Sequence, residues 1–237
     1  WPSIEPHDAS ARLTSSDDDS PADPHAGRML GTRYRVERTL GQGGMGVVYL
    51  ARHRVINKLV AIKVLHATKD PDVVARFEAE ARSASSIGNE HIVDVIDFAE
   101  LPDGSTYFVM EFLDGIPLSK LLRERGPLPT SRLVRIALQI ADGLQAAHAH
   151  GIVHRDLKPD NVFLCKRNLR EDFVKIVDFG IAKVTQGANS VTAAGRVFGT
   201  PQYMSPEQAA GLAVDHRSDI YSVGAMLYEA SVGCVPF

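Results

Sequence analysis

The segment GQGGMGVVYLARH, residues 41–53, places Gly41, Gly43 and Gly46 in the pattern GxGxxG. Glycines at this spacing let a backbone turn tightly around phosphate groups. A dinucleotide-binding βαβ unit has the pattern between a strand and a helix, whereas a second arrangement is a hairpin over nucleotide phosphates. Here the β-branched and aromatic run VVYLAR follows and predicts a second strand. The sequence therefore favours the hairpin, and the lack of GK[ST] after Gly46 argues against a Walker-type loop.

Lys63 ends the next strand-like run, VAIK, and lies within an apolar stretch. Strand alternation puts Lys63 on one face with the small residue Ala61 and with Leu65. A surface lysine on an edge strand is the alternative interpretation. An inward-facing lysine needs an anion nearby, so the sequence has to supply one.

The segment after Asp70–Pro71 supplies a candidate anion on a predicted helix that ends near Gly88. Glu80 is the one charge on its apolar stripe, and an inward carboxylate is costly unless paired. We therefore predict that Glu80 pairs with Lys63; Glu78, the competing candidate, lies off the stripe. The stripe consists of Val73, Phe77, Glu80, Ala84 and Ile87.

Composition limits the class of protein. The chain has 237 residues, a net charge of −3 and two cysteines, Cys165 and Cys234. This length suits one large domain or two small lobes. The charge gives no broad positive field for nucleic acid, and two cysteines make no disulfide framework. No apolar run reaches the roughly 18 residues of a membrane-spanning helix, and we see no signal peptide.

The chain divides into three parts by residue type. Residues 1–29, rich in Ser, Asp and Pro, are predicted to be disordered because they cannot bury enough apolar surface. Residues 30–113 are mainly strand-like with one helix, and residues 114–237 are mainly helical. Both ends, Trp1 and the final VGCVPF, look like cuts in a longer protein.

A set of short motifs follows in a fixed order. They are the glycine loop, VAIK with Lys63, Glu80, HRDLKPDN (154–161), DFG (178–180), GTPQYMSPE (199–207) and Asp219. In these residues the chain resembles the protein kinases, and specifically the bacterial eukaryotic-like (Hanks-type, PknB-like) serine/threonine kinases, from about residue 34 to 237. The resemblance implies an α+β, two-lobed kinase fold with a small β-rich N-lobe, one key helix and a larger, mainly α C-lobe, here incomplete at its C-terminal end.

The resemblance implies the catalytic roles. Asp156 accepts or orients the proton of the attacking hydroxyl, and Lys158 neutralises the transferring phosphate. Asn161 and Asp178 are oxygen ligands for Mg²⁺, with Mn²⁺ as an alternative. Thr200 contacts Asp156 and Lys158 and helps to dock the substrate hydroxyl. Lys158 and Thr200 favour the serine/threonine class over the tyrosine class.

The nucleotide site follows in the same way. Amides of the glycine loop cover the ATP phosphates, Lys63 contacts the inner ones, and Glu111 and Leu113 offer backbone groups to the adenine. The apolar members are equally explained as plain core. The residues implied to bind ATP are Leu40, Gly41, Gly43, Gly46, Val48, Ala61, Lys63, Met110, Glu111, Leu113, Phe163 and Asp178.

Regulation is expected at the loop between residues 178 and 207. Arg155, beside the catalytic aspartate, can pair with a phosphate on that loop. Thr192 is predicted as the main autophosphorylation site and Ser190 as the second, since Thr192 is central in a polar stretch of small residues and relatives carry threonines there. An unmodified loop is the alternative.

The resulting expectation is an ATP-dependent serine/threonine protein kinase. A pseudokinase scaffold that only binds ATP is the alternative, disfavoured because Lys63, Glu80, Asp156, Asn161 and Asp178 are all present. Expected partners are protein substrates and a second copy for trans-autophosphorylation, without nucleic acid or membrane contact in this stretch. We expect a cytoplasmic domain whose full-length protein could be membrane-anchored beyond the C-terminal cut.

Two further expectations concern departures from the family pattern. Glu207 is expected to lack its usual arginine partner, which in the family lies beyond residue 237. An unpaired buried charge costs on the order of 3–5 kcal/mol, so we expect the stretch alone to be poorly stable or inactive. The segment CKRNLREDF, residues 165–173, is interpreted as a solvated hairpin without a function.

Overall fold

The computed structural model describes residues 27–43, 46–66, 68, 70–167, 170–179 and 201–237. Its first part is a six-stranded antiparallel sheet in the order β1-β2-β3-β4-β6-β5. Alternating apolar residues of this sheet form a core around Tyr49, Ile62 and Val109. The strands are β1 (Met29–Leu30), β2 (Tyr34–Gln42), β3 (Gly46–His53), β4 (Leu59–Leu65), β5 (Val95–Glu100) and β6 (Thr106–Glu111).

Helix α1 (Pro71–Ile87) packs on this sheet as its sequence predicts. The Asp70 side chain accepts a hydrogen bond from the Asp72 amide at 2.9 Å and caps the helix. Gly88 ends the helix with a φ of 65°, a left-handed conformation that glycine adopts at little cost. Phe77 anchors the helix on the sheet, with its ring centroid 4.9 Å from that of Phe108.

The second part is mainly helical, with a small sheet beside the first lobe. Strands β7, β8 and β9 form that sheet in sequence order. The core of this second part includes Ile136, Ile140 and Met226. The elements are β7 (Gly115–Pro117), α2 (Leu118–Arg125), α3 (Thr130–Ala149), β8 (Val162–Arg167), β9 (Arg170–Ile176), α4 (Pro206–Ala209) and α5 (His216–Val232), with short 3₁₀ turns at Pro159–Asn161 and Pro201–Tyr203.

Residues 91–98, HIVDVIDF, have a strand-like composition throughout, but only their second half forms a strand. Strand β5 begins only at Val95, and the residues before it bond to β9 instead. The Val93 amide donates to the Ile176 carbonyl at 3.0 Å, and the Ile176 amide donates to the His91 carbonyl at 2.8 Å. The α1–β5 loop of the first lobe is therefore bonded to the second lobe's sheet.

The N-terminal boundary also differs from the prediction. Met29 pairs with Arg35 in the sheet, and the Gly27 amide donates to the Val36 carbonyl at 3.2 Å. For residues 27–29 the prediction of disorder is therefore wrong. The remaining residues of the predicted disordered segment lie outside the described part, and the boundary between the lobes stays a prediction.

Within residues 165–173 of the β8–β9 hairpin, the described charges are mostly exposed, as predicted, and only Asp172 is half-buried. Arg132 of α3 forms a two-pronged ion pair with Asp172, at 2.9 and 2.7 Å. Arg167 bonds Glu90 of the α1–β5 loop at 2.9 Å. The hairpin thus contacts both lobes.

The two thiols are expected to differ sharply in reactivity. Burial, with the nearby charge of Glu111, raises the pKa of Cys165 to about 11, whereas Cys234 is exposed. Since the thiolate is the reactive form, an aromatic disulfide reagent at pH 8 should label Cys234 quickly in the native chain. Cys165 should react only after denaturation. Cys234→Ser should abolish the fast phase, and two fast thiols would contradict the buried position of Cys165.

Candidate active site

Asp219 holds the start of the segment of residues 154–161 through hydrogen bonds to its backbone. This carboxylate is 1% exposed and lies in the first turn of α5. It accepts hydrogen bonds from the amides of His154 at 2.8 Å and Arg155 at 2.9 Å, and it bonds the His148 ring at 2.8 Å. Arg155 has a φ of 63°, a strained conformation for a residue with a side chain, and these bonds hold it there.

His154 connects this segment to the strand that leads to DFG. Burial lowers the pKa of His154, so the ring is neutral. Its Nε2 lies 3.0 Å from the Val177 carbonyl, and its Nδ1 accepts from the Asp156 amide at 3.3 Å. Both contacts fit one tautomer, with the proton on Nε2. The ring also packs on Phe179, at 4.7 Å between centroids.

Three of the predicted catalytic and metal-binding residues lie together on this segment. Lys158 Nζ is 3.2 Å from Asp156 Oδ2. The Asn161 side-chain nitrogen donates to the Asp156 carbonyl at 2.8 Å, and the Asn161 carbonyl accepts from the Val177 amide at 3.0 Å. The Asn161 side chain and backbone are therefore each held by a hydrogen bond.

The ion pair predicted between Lys63 and Glu80 is present. The Nζ and Oε1 atoms are 2.6 Å apart, and the side chains are 12% and 8% exposed. Lys63 Nζ also bonds Asp178 Oδ1 at 2.9 Å, so one ammonium serves two carboxylates. This second contact joins the sheet of the first lobe to DFG.

The pKa values of Lys63, Glu80 and Asp178 follow from the presence of two carboxylates around one ammonium. Burial opposes the charge on Lys63, but Asp178 and Glu80 outweigh it and raise the pKa of Lys63. Burial raises the pKa of Glu80 to about 7, against the charge of Lys63 and with that of Asp178. Desolvation favours the neutral form of Asp178, but the positive charge of Lys63 outweighs this effect and lowers the pKa of Asp178. Asp178 is thus the carboxylate that stays charged.

The donor set suits a divalent cation bound together with a nucleotide. Asp178 is ionised, as its lowered pKa requires, and its backbone φ of 56° is left-handed. Asn161 offers a fixed amide oxygen. Hard cations such as Mg²⁺ take few protein oxygens and complete their shell with water and phosphates, so two side chains suffice. No group of three or more His, Cys, Asp and Glu residues that could hold a metal ion occurs in the part of the chain that the structure describes.

The glycine hairpin adopts the strand–turn–strand form that its sequence predicts. Gly46 begins β3 so close to β4 that a Cβ atom would lie 2.1 Å from the Val64 carbonyl oxygen. No side chain fits there, so this glycine is required by packing. The Gly43 amide donates to the Gly46 carbonyl at 2.9 Å, and residues 44–45 lie outside the described part.

The predicted adenine-binding residues lie on both lobes. Ala61 of β4 is the partner of Met110 on β6. Met110, Leu113 and Phe163 pack against one cluster of buried residues. Val48 is half-buried on β3, and Leu40 of β2 is exposed. Thr200, Ser190 and Thr192 lie outside the described residues.

Glu207 is half-buried beside the start of α5. Its carboxylate accepts a hydrogen bond from the Ser218 hydroxyl, and this bond lowers the pKa of Glu207. Ser218 also accepts from Ser205, at 3.0 Å. Glu207 thus has a neutral hydrogen-bond partner, and the predicted lack of its usual arginine partner stays a prediction.

Lys175 is the residue that the sequence interpretation misses. It is 8% exposed and bonds the carboxylate of Glu111 and the Ile92 carbonyl. The signal is in the sequence, since KIVDF places a lysine within an apolar run as VAIK does. The argument applied to Lys63 would have identified it.

Asp219→Asn should destabilise the chain and slow any catalysis by residues 154–161. An amide has one acceptor oxygen, so one of the two buried backbone donors loses its partner, at about 1–3 kcal/mol. Urea unfolding measures this loss. Asp215→Asn is the matched control, because Asp215 caps the same helix and Asn caps equally well. Equal stabilities of the two variants would contradict this role.

Comparison with known proteins agrees with this geometry. A model of the protein kinase domain matches residues 34–237. The chain belongs to the protein kinase domain family. Among solved structures, a double mutant of the PknI kinase domain of Mycobacterium tuberculosis superposes on this kinase domain with a TM-score of 0.70 at 29% identity. The match covers 90% of this chain and 78% of that one.

Curated relatives are bacterial serine/threonine-protein kinases. Pkn1 of Myxococcus xanthus is 49% identical over 217 residues, which cover 91% of this chain and 31% of Pkn1. PknB of Mycolicibacterium smegmatis is 44% identical, over 88% of this chain and 34% of PknB. The kinase domain thus spans about a third of the length of these relatives. No helix in the described ranges is long and apolar enough to cross a membrane.

Proposed function

We propose that this kinase domain transfers the γ-phosphate of ATP to serine and threonine hydroxyls of proteins. The observation that carries the proposal is the double ion pair of Lys63 with Glu80 and Asp178. It joins the phosphate-contacting lysine of one lobe to the metal-binding aspartate at the start of DFG. A buried lysine with a purely structural role would need one carboxylate partner and not two.

The side chains divide the work of phosphoryl transfer between them. Asp156 orients the attacking hydroxyl and accepts its proton. Lys158, 3.2 Å from Asp156, neutralises charge on the transferring group. Lys63 holds the inner phosphates, and Glu80 holds Lys63. Since the transition state spreads charge over the phosphoryl oxygens, positioning and electrostatics account for most of the catalysis.

Asn161 and Asp178 would hold the divalent cation, Mg²⁺ or Mn²⁺. The cation supplies charge neutralisation for the β- and γ-phosphates. The glycine loop covers the phosphates. Glu111 and Leu113 offer backbone groups to the adenine, and Met110 closes the back of the pocket.

The serine/threonine class rests on Lys158 and on Thr200, and the names of the relatives agree with it. The second candidate, an ATP-binding scaffold, is less well supported, because a scaffold needs neither Asp156 nor its contact with Lys158. Protein substrates, a second copy for trans-autophosphorylation and a cytoplasmic position for this domain complete the proposal.

Activation by phosphorylation is part of the proposal. Among the described residues, Arg155 has a buried Nε without a hydrogen-bond partner, and a phosphate oxygen would satisfy it. We assign Thr192 as the main site that supplies this phosphate and Ser190 as the second.

The test uses γ-labelled ATP with Mg²⁺ on the full chain, with a general protein substrate present. Phosphoamino-acid analysis should find label on serine and threonine, and peptide mapping should find Thr192 or Ser190. A parallel sample with excess EDTA controls for cation dependence. ATP binding without any transfer would favour the scaffold, and active protein modified at neither residue would overturn the regulatory assignment.

A further inference from the structure

Lys175 of β9 is buried behind the segment that links the two lobes. Its side chain is 10% exposed. Its ammonium donates to the Ile92 carbonyl at 3.1 Å and pairs with Glu111 Oε1. A lysine is seldom so fully buried unless it is paired, and here both partners lie on other segments of the chain.

Glu111 extends this contact to a third segment. Its Oε1 atom also accepts from the Asp94 amide at 2.9 Å, and the Glu111 amide donates to the Asp94 carbonyl at 3.0 Å. The end of β6, the α1–β5 loop and β9 therefore meet at one carboxylate. That end of β6 is the segment whose backbone groups are proposed to bind adenine.

Strand β9 leads from this junction directly to the cation site. Asp178 follows Lys175 by three residues. The intervening backbone is fixed by bonds from the Ile176 amide to the His91 carbonyl, at 2.8 Å, and from the Val177 amide to the Asn161 carbonyl, at 3.0 Å. A short, fully bonded path thus connects Glu111 to Asp178.

A buried ion pair is weak evidence for stability, because apolar residues of similar volume often serve as well. What the pair supplies is a fixed geometry, since charge-assisted hydrogen bonds are short and directional. We propose that Lys175 is a positioning residue that, through Glu111, holds the adenine-binding segment in register with the cation-binding Asp178. The proposal rests on the nucleotide-dependent function proposed above.

Lys175→Met in the full chain tests the proposal. The dissociation constant for Mg·ATP, measured by calorimetry, should rise about tenfold, the lower end of the effect of losing a residue that orients ligands. Steady-state kinetics should show the loss mainly in the KM for ATP rather than in kcat. Amide hydrogen exchange at residues 111–113 should also become faster in the nucleotide-free chain.

Two further variants separate positioning from general damage. Glu111→Gln is the milder partner variant, which tests the same pair if Lys175→Met fails to fold, and the double variant should bind Mg·ATP no more weakly than Lys175→Met alone. Arg167→Met is the matched control. It removes an exposed ion pair between the β8–β9 hairpin and the α1–β5 loop. It should change neither the affinity for Mg·ATP nor the amide exchange at residues 111–113.

The outcomes distinguish this proposal from the proposed function. If the wild type binds Mg·ATP and Lys175→Met alters neither affinity nor exchange at residues 111–113, Lys175 has no positioning role. The same holds if Arg167→Met has an equal effect. Faster exchange confined to Lys175→Met and Glu111→Gln, in a chain whose wild type binds no ATP, would support the junction and refute the proposed function.

Discussion

Asp156→Asn is expected to lower kcat for phosphoryl transfer by about 10²- to 10⁴-fold, the usual contribution of a positioned general base. The amide keeps the size of the carboxylate but cannot take the proton of the attacking hydroxyl. The Asp156 backbone also supports Asn161, through the hydrogen bond at 2.8 Å, and this bond survives the substitution. Affinity for Mg·ATP should therefore change little.

The measurement pairs initial rates of label transfer with calorimetric titration of Mg·ATP. Asp142→Asn, an exposed position on α3, changes the net charge equally and should transfer phosphate at the wild-type rate. Transfer by Asp156→Asn within a few-fold of the wild type would remove Asp156 from its proposed role.

Lys63→Met should affect activity and stability together. Loss of the charge that is proposed to hold the inner phosphates costs on the order of 10²- to 10³-fold in kcat. Removing one member of a buried pair costs about 3–5 kcal/mol of unfolding free energy. Since the pKa of Glu80 is already about 7, its carboxyl can take up a proton once Lys63 is gone, and we expect the lower end of that range.

A second substitution separates the two effects. Lys63→Met leaves both Glu80 and Asp178 without the ammonium, and Glu80 is the more buried of the two. Adding Glu80→Gln removes that more buried carboxylate, so the double variant should unfold at a higher urea concentration than Lys63→Met while staying inactive. If the double variant were no more stable than the single one, the Glu80 charge would not be the source of the loss. Wild-type activity in Lys63→Met would contradict the role of the lysine itself.

Several parts of the site follow from local sequence. The Lys63–Glu80 pair is predictable because strand and helix periods each put a charge on an apolar face, and a buried charge needs an opposite one. Gly46 is predictable as a hairpin position because of the strand-forming residues after it. The capping of α1 by Asp70 follows from the Asp–Pro pair.

Other parts depend on how the chain crosses itself. Glu111 and Lys175 are 64 residues apart, and only their placement on neighbouring segments makes them partners. Residues 91–93 have a strand-like composition, but the His91 carbonyl and the Val93 amide bond to Ile176 of β9 and not to β6. Ser218 serves Glu207 because α5 begins beside α4, a contact that sequence periodicity does not encode.

The sequence alone determined the family, the order of the motifs and the residues that bear charge on apolar faces, because each is set by local spacing. The tertiary structure decided which of those charges share a partner. Lys63 serves Asp178 as well as Glu80, Asp219 supports the strained backbone of Arg155, and Lys175 joins β9 to the α1–β5 loop and to the end of β6. These contacts depend on the relative placement of distant segments, which local spacing does not set.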